Sequence, residues 1–193
     1  MIVYTVHPES IYKMMREQGY YEGSRANFNF KNSFERQYDW MVAQMKKRLS
    51  HYEGDEYPVW VWKRRPGRNE SALLPRGTRG VILKLEIPDE DILWSDFESW
   101  HLVLNEGPYT TSEKEWEDHL QNEWSTERVE KSWEMIFDFD KLSNLDPRWN
   151  GTFDPEWIQG VTPRITMDQV KKVTRFVAKG PKRNTYGPPK KKK

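Results

Sequence analysis

Residues 80–105, GVILKLEIPDEDILWSDFESWHLVLN, decide how the chain is read. Val81, Leu83, Leu85 and Ile87 alternate with Ile82, Lys84 and Glu86, the period-two pattern of a β-strand. The strand stops at Pro88 and an acidic corner formed by Asp89, Glu90 and Asp91. Ser95 and Glu98 then have the spacing of a capping box. Phe97, Trp100, Val103 and Leu104 line one face of the helix that follows, which is expected to end near Gly107. Asp96, in its first turn, suits the positive end of the helix.

Upstream, residues 1–7 (MIVYTVH) read as a strand, with Ile2, Tyr4 and Val6 on one face and Val3, Thr5 and His7 on the other. Pro8 suits a helix start, Ile11, Met14 and Met15 form an apolar stripe, and Gly19 is a natural stop. Residues 20–30 read as loop. Asn32 and Glu35 are spaced to cap a second helix, with Phe34, Tyr38, Met41, Val42, Met45 and Leu49 as its apolar face. Trp40 and Gln44 lie one turn apart on an adjoining face. Residues 57–63 (YPVWVWK) form a strand with Trp60 and Trp62 on one face. The basic, Gly- and Pro-containing segment 64–79 reads as a long loop, which makes the strands on either side of it antiparallel neighbours.

Downstream, Ser112 with Glu115 repeats the capping spacing, and helical periodicity continues on either side of Ser125 as one helix or two. Residues 157–165 (WIQGVTPRI) predict a last strand, placed at an edge or bulged because of Gly160 and Pro163. Asp168 is expected to cap a final helix along Val170, Val173, Phe176 and Val177. Residues 180–193 carry six bases and no acid and read as a disordered tail after a single domain spanning residues 1–179. The fold class expected is α+β, a central and mainly antiparallel sheet with flanking helices.

Composition narrows the chemistry. The 193 residues include no Cys, which excludes disulfides, thiolate metal sites and a Cys nucleophile. The four His show no metal-ligand spacing, and no metal is expected. No apolar run reaches the roughly 20 residues of a membrane span, and no secretory signal is legible, so a cytoplasmic protein without a membrane partner is expected. Ten Trp, nine Tyr and eight Phe predict an aromatic core, a ring-stacking cleft, or both. Charge is segregated: residues 86–130 hold fourteen acids against two bases, and residues 46–84 hold ten bases against four acids. Salt-bridge complementarity or a basic face that meets phosphate would produce this pattern.

Several blocks together resemble one family. They are Leu85–Glu90 with Leu93, Ser95, Asp96, Phe97, Trp100, His101 and Asn105; Tyr4 and Thr5; Gly19; Trp40, Met41, Gln44 and Met45; Tyr57, Pro58, Trp60 and Trp62; Ile158 and Gln159; and Val170, Val173 and Phe176. They are similar to the bacterial and phage proteins of the domain of unknown function DUF3841. The chain departs from that pattern at Pro163 and Arg164, where a Trp-Glu pair would follow the last strand. A more distant, fold-level resemblance is to ADP-ribosyltransferase-like proteins, in which a first-strand His or Arg and a late-strand Glu meet NAD. It implies NAD as cofactor, with His7 and Gln159 in the catalytic positions.

The ligand-binding candidates are Tyr4, Thr5, Trp40, Gln44, Trp62, Asp96 and His101, and Arg76 and Arg79 are candidates for phosphate or nucleic-acid contact. Two functions follow as expectations. One is an NAD- or nucleotide-binding, ADP-ribosyltransferase-like protein acting on a macromolecular target. The other is a non-enzymatic interaction protein that binds a host protein or nucleic acid through its basic loop and tail.

Overall fold

The computed structural model describes residues 1–25, 34–67 and 74–179. The chain opens with β1 (Ile2–Pro8), and α1 (Glu9–Gln18) follows directly, since Pro8 at φ −54° leads straight into the helical turn. Gly19 closes α1 at φ 90°, a left-handed position that glycine takes without a Cβ penalty, and its N–H donates to Met15 O. β2 (Tyr20–Glu22) lies where a loop was expected. Then come α2 (Glu35–Arg48), β3 (Val59–Trp62), β4 (Arg79–Glu86), β5 (Leu93–Asp96) and α3 (Phe97–Leu104). A helical run follows: α4 (Glu113–Asn122), α5 (Thr126–Ser132), a 3-10 turn at Trp133–Phe137, α6 (Phe139–Asn144) and α7 (Pro147–Asn150). The chain returns to strands in β6 (Ile158–Thr162), β7 (Arg164–Thr166) and β8 (Val170–Val177).

The main sheet has the order β5-β6-β3-β1-β4-β8, every pair antiparallel, and β2 and β7 form a separate ribbon. The α+β expectation holds. Three expectations within it do not. β3 and β4 are not neighbours: β1 lies between them and is antiparallel to both, so they run parallel and segment 63–78 is a crossover. Leu74 from that segment packs on the sheet, so close that a Cβ on Gly80 would sit 2.5 Å from it and 2.7 Å from Phe176. β6 is an interior strand between β5 and β3, and Pro163 only separates it from β7. The last element is a strand: Asp168 lies in the turn after β7, its carboxyl held below the usual range by hydrogen bonding to Thr166. The expected cap at Asn32 and the basic tail lie outside the described residues.

The caps correct one more detail. Ser95 belongs to β5, and Asp96 caps α3, accepting from Ser99 N at 2.7 Å. Ser112 caps α4 through Glu115 N, while Glu115 accepts from Thr111 N at 2.6 Å, so the acid reaches one residue beyond the cap. Ser125 starts α5, which makes the run two helices.

Each face of the sheet carries its own core. Residues directly opposite in neighbouring strands share a face. Val3, Val59, Val61, Leu83 and Leu85 face α1 and the β2–β7 ribbon, packing with Tyr12, Met15 and Ile165. Leu93, Val161 and Trp60 face the helices, packing with Met41, Met45, Trp100 and Trp133. Trp60 tilts against Trp100 at 5.2 Å and meets Tyr38 edge-on. This is the expected aromatic core. Among the described residues no helix is long and apolar enough to cross a membrane.

Candidate functional site

The site is built where β5 ends. Asp96 is 6% exposed, because its cap bond to Ser99 N pulls the carboxylate onto the first turn of α3. Beyond α3 the chain is pinned by Trp133, fully buried, whose indole N–H donates to Gly107 O at 2.7 Å. Ser132 fixes the next step: its Oγ accepts from Tyr109 N at 2.8 Å and donates to Val129 O. Tyr109 and Thr110 are thereby buried beside Asp96 and Ser99.

The opposite wall is made by turn chemistry. Asp146 caps α7 through Arg148 N, with Pro147 in the first turn. Gly151, at φ 75°, ends it. This short helix presents Trp149 and Asn150 to the segment before α4: Asn150 Nδ2 donates to Thr110 O at 2.9 Å, and Trp149 Nε1 donates to the same oxygen at 3.3 Å. Asn150 Oδ1 is buried with no partner. Asp154 caps the following 3-10 turn through Glu156 N.

Between the walls lies a cleft of about 530 Å³, the size of a small-ligand site. Asp96, Glu98, Ser99, Tyr109, Thr110, Asn150 and Asp154 belong to its polar lining, Leu102, Leu142, Leu145 and Phe153 to its apolar lining. Trp116, Trp149 and Trp157 also line it, and each stays 38–44% exposed. Burial raises the Tyr109 phenol above its ordinary value, and Asp96 adds to that, while Ser99 and Asn150 pull it back. Trp157 stacks on Phe97 at 5.5 Å, and the Arg64 guanidinium lies 5.3 Å from its ring centre.

A wider groove of about 790 Å³ lies on the other side of Tyr109, and its charges neutralise one another. Glu134 meets Lys47 at 3.0 Å, Lys131 at 3.1 Å and Arg48 at 3.2 Å. Burial opposes its ionisation, but Lys47 and Lys131 hold it below the usual carboxylate range. Among the described residues no group of three or more His, Asp or Glu could hold a metal ion.

The candidates named from sequence distribute unevenly. Asp96 lines the cleft. Tyr4, Trp62 and Gln159 stand in one row across the helix-facing side of the sheet, with Ser95 next in line. Gln159 Nε2 and Ser95 Oγ there are both buried without partners. Thr5 and His7 are on the opposite face. Thr5 Oγ1 donates to Trp60 O and lies 3.1 Å from His7 Nε2, so the imidazole carries its hydrogen on Nε2. His7 packs edge-on against Tyr21, and burial lowers its pKa to about 4. The sheet therefore separates His7 and Thr5 from Gln159, and the five residues do not form one site.

Trp40 is a core residue, edge-on to Trp133 and stacked on Phe137, and Gln44 accepts from Arg48. His101 is exposed on α3, one ring nitrogen 2.9 Å from Phe97 O. Arg76 and Arg79 are exposed just before and at the start of β4. Sequence reasoning missed Ser99, Tyr109, Trp149, Asn150 and Asp154. The signals available were the Asp146-Pro147 and Asp154-Pro155 turns bracketing Trp149 and Asn150.

Fold and cleft together define a class: an α+β domain whose antiparallel sheet carries, at the end of one edge strand, a cleft walled by short helices. The chain belongs to the family described as Domain of unknown function (DUF3841), whose profile matches residues 2–146. That match includes the Asp96 wall of the cleft and ends just before the Trp149 wall. No curated protein and no solved structure matches the chain.

Proposed function

We propose that the domain binds a small molecule carrying a planar ring, of the nucleotide class with NAD as the leading candidate, in the cleft beside Asp96. The observation that carries this is the 530 Å³ cleft itself, lined by the part-exposed rings of Trp116 and Trp149 beside polar side chains. The part-exposed Trp116 and Trp149 side chains supply stacking area for a base or nicotinamide ring. Arg64, against Trp157 at the margin of the cleft, gives a phosphate a cationic neighbour outside it.

The reading is binding rather than group transfer, because His7 and Gln159 lie on opposite faces of the sheet. Calorimetric titration of the full chain with NAD, ATP and free nicotinamide tests it. Saturable binding that weakens at least about tenfold in Trp149→Ala, a loss of roughly 1.4 kcal/mol, is the expected result. No heat with any of the three would end the proposal.

A second reading, nucleic-acid contact, is favoured by one arrangement. Lys84 and Lys172 stand directly opposite each other on β4 and β8, while Glu86 pairs with Lys171 instead. Like charges so placed repel unless an anion is near. Affinity for single-stranded nucleic acid that falls steeply with salt, and drops in Lys84→Ala and on deletion after Lys179, is expected on this reading. Salt-independent or undetectable binding would remove it.

A further inference from the structure

We propose that the cleft selects a cationic planar group, a pyridinium or other quaternised ring nitrogen, over its neutral isostere. This rests on the binding reading above and specifies the charge of the group that enters.

Three features of the cleft agree on the sign. Asp96, Glu98 and Asp154 line it, and none of the described lining residues is Lys, Arg or His. Among the described residues some acids elsewhere are paired and others, such as Glu90, Asp91 and Glu127, are not. Glu134, Asp118, Asp138, Asp146, Glu22 and Glu9 each lie within 3.2 Å of a Lys or Arg nitrogen. Among the described residues Asp96, Glu98 and Asp154 have no such partner. Asp96 and Asp154 each place one oxygen on a backbone N–H, and Glu98 projects from the first turn of α3. The unpaired buried polar atom on the wall, Asn150 Oδ1, is also an acceptor, so it adds partial negative charge where a ligand donor would otherwise sit.

The indoles point the same way. The face of an indole is the negative end of its quadrupole and attracts a cation placed over it, most strongly where water is partly excluded. Trp116 and Trp149 line the same 530 Å³ space as the three carboxylates, while Trp157 there is already stacked on Phe97 and approached by Arg64. A phosphate inside that space would meet carboxylates and no cation. A neutral ring would gain stacking alone. A pyridinium gains stacking, cation–π attraction and the carboxylate field together.

The test uses the full chain and two small probes of the same shape, the 1-methylnicotinamide cation and neutral nicotinamide, followed through the indole N–H signals in NMR titrations. The cation is expected to bind about tenfold more tightly. In the Glu98→Gln, Asp154→Asn double variant, with Asn retaining the capping role at 154, the advantage should shrink to about twofold or less. The Trp116 and Trp149 indoles should shift in both proteins. Equal affinity for the two probes overturns the charge selection and leaves the binding reading standing, and an advantage undiminished in the double variant overturns the part assigned to Glu98 and Asp154. Failure of both probes to move any cleft indole overturns both.

Discussion

At the scale of single residues the chain separates groups that serve the fold from groups with capacity to spare. His7 serves the fold. It is held neutral between Thr5 and Tyr21, with burial lowering its pKa to about 4. An unfolded chain protonates this imidazole near pH 6.5, whereas the folded chain resists down to about 4. Stability from this group is complete above pH 6.5 and is lost as pH falls towards 4. Urea unfolding at pH 7 and pH 5 should therefore show a decrease of about 2 kcal/mol from this residue, absent in His7→Phe. Asp96 serves both purposes. Asp96→Ala removes the α3 cap and should cost about 1 kcal/mol in the same assay, while Asp96→Asn caps nearly as well and should cost under about 0.5 kcal/mol. The adjacency of Tyr4 and Thr5 was itself informative. Neighbouring strand residues point to opposite faces, so the two were never able to line one site.

At the scale of elements, strong local patterns hold and ambiguous ones are decided by neighbours. β4 forms as its alternation predicts, and Ser112 caps the helix its position announces, while at Ser125, where periodicity allowed one helix or two, a second helix begins. β8 shows the opposite case. Val170, Val173 and Phe176 at three-residue spacing mimic a helix stripe, but the segment VKKVTRFV is rich in β-branched residues and pairs along β4. As a strand it divides those side chains, Val173 opposite Leu83 on the α1 side and Phe176 opposite Gly80 on the other. β6 was misjudged because Gly160 in a strand suggests an edge or a bulge. Here its function is close approach: a Cβ would lie 2.5 Å from Ile92 Cγ2 and 2.8 Å from the Trp94 ring. Both are stiff side chains. Gly160→Ala is expected to destabilise by about 1–3 kcal/mol, read as a lowered midpoint in chemical denaturation. An unchanged midpoint would mean that β5 can shift to accept a methyl group.

At the scale of the whole molecule, the first strand lies near the centre of the sheet, and strands from the end of the chain complete both halves of it. β6 joins β5 to β3, and β8 covers β4. The family match stops at residue 146, before either strand. A fragment of residues 1–146 would leave β5 without its neighbour β6 and β4 without β8. It is expected to lose cooperative unfolding and near-ultraviolet circular dichroism, whereas residues 1–179 retain both. The amino-acid sequence by itself determined the α+β class, the starts of α1 and α4, the strands with clear alternation, the aromatic core and the family. Those features rest on periodicity and capping, which act within a few residues. Only the tertiary structure decided that β1 divides β3 from β4, that His7 and Gln159 lie on opposite faces, and that Asp96, Tyr109 and Asn150 meet in one cleft. Alternation reveals that a strand has two faces, but the packing of distant segments settles which helix covers each face and which strand lies alongside.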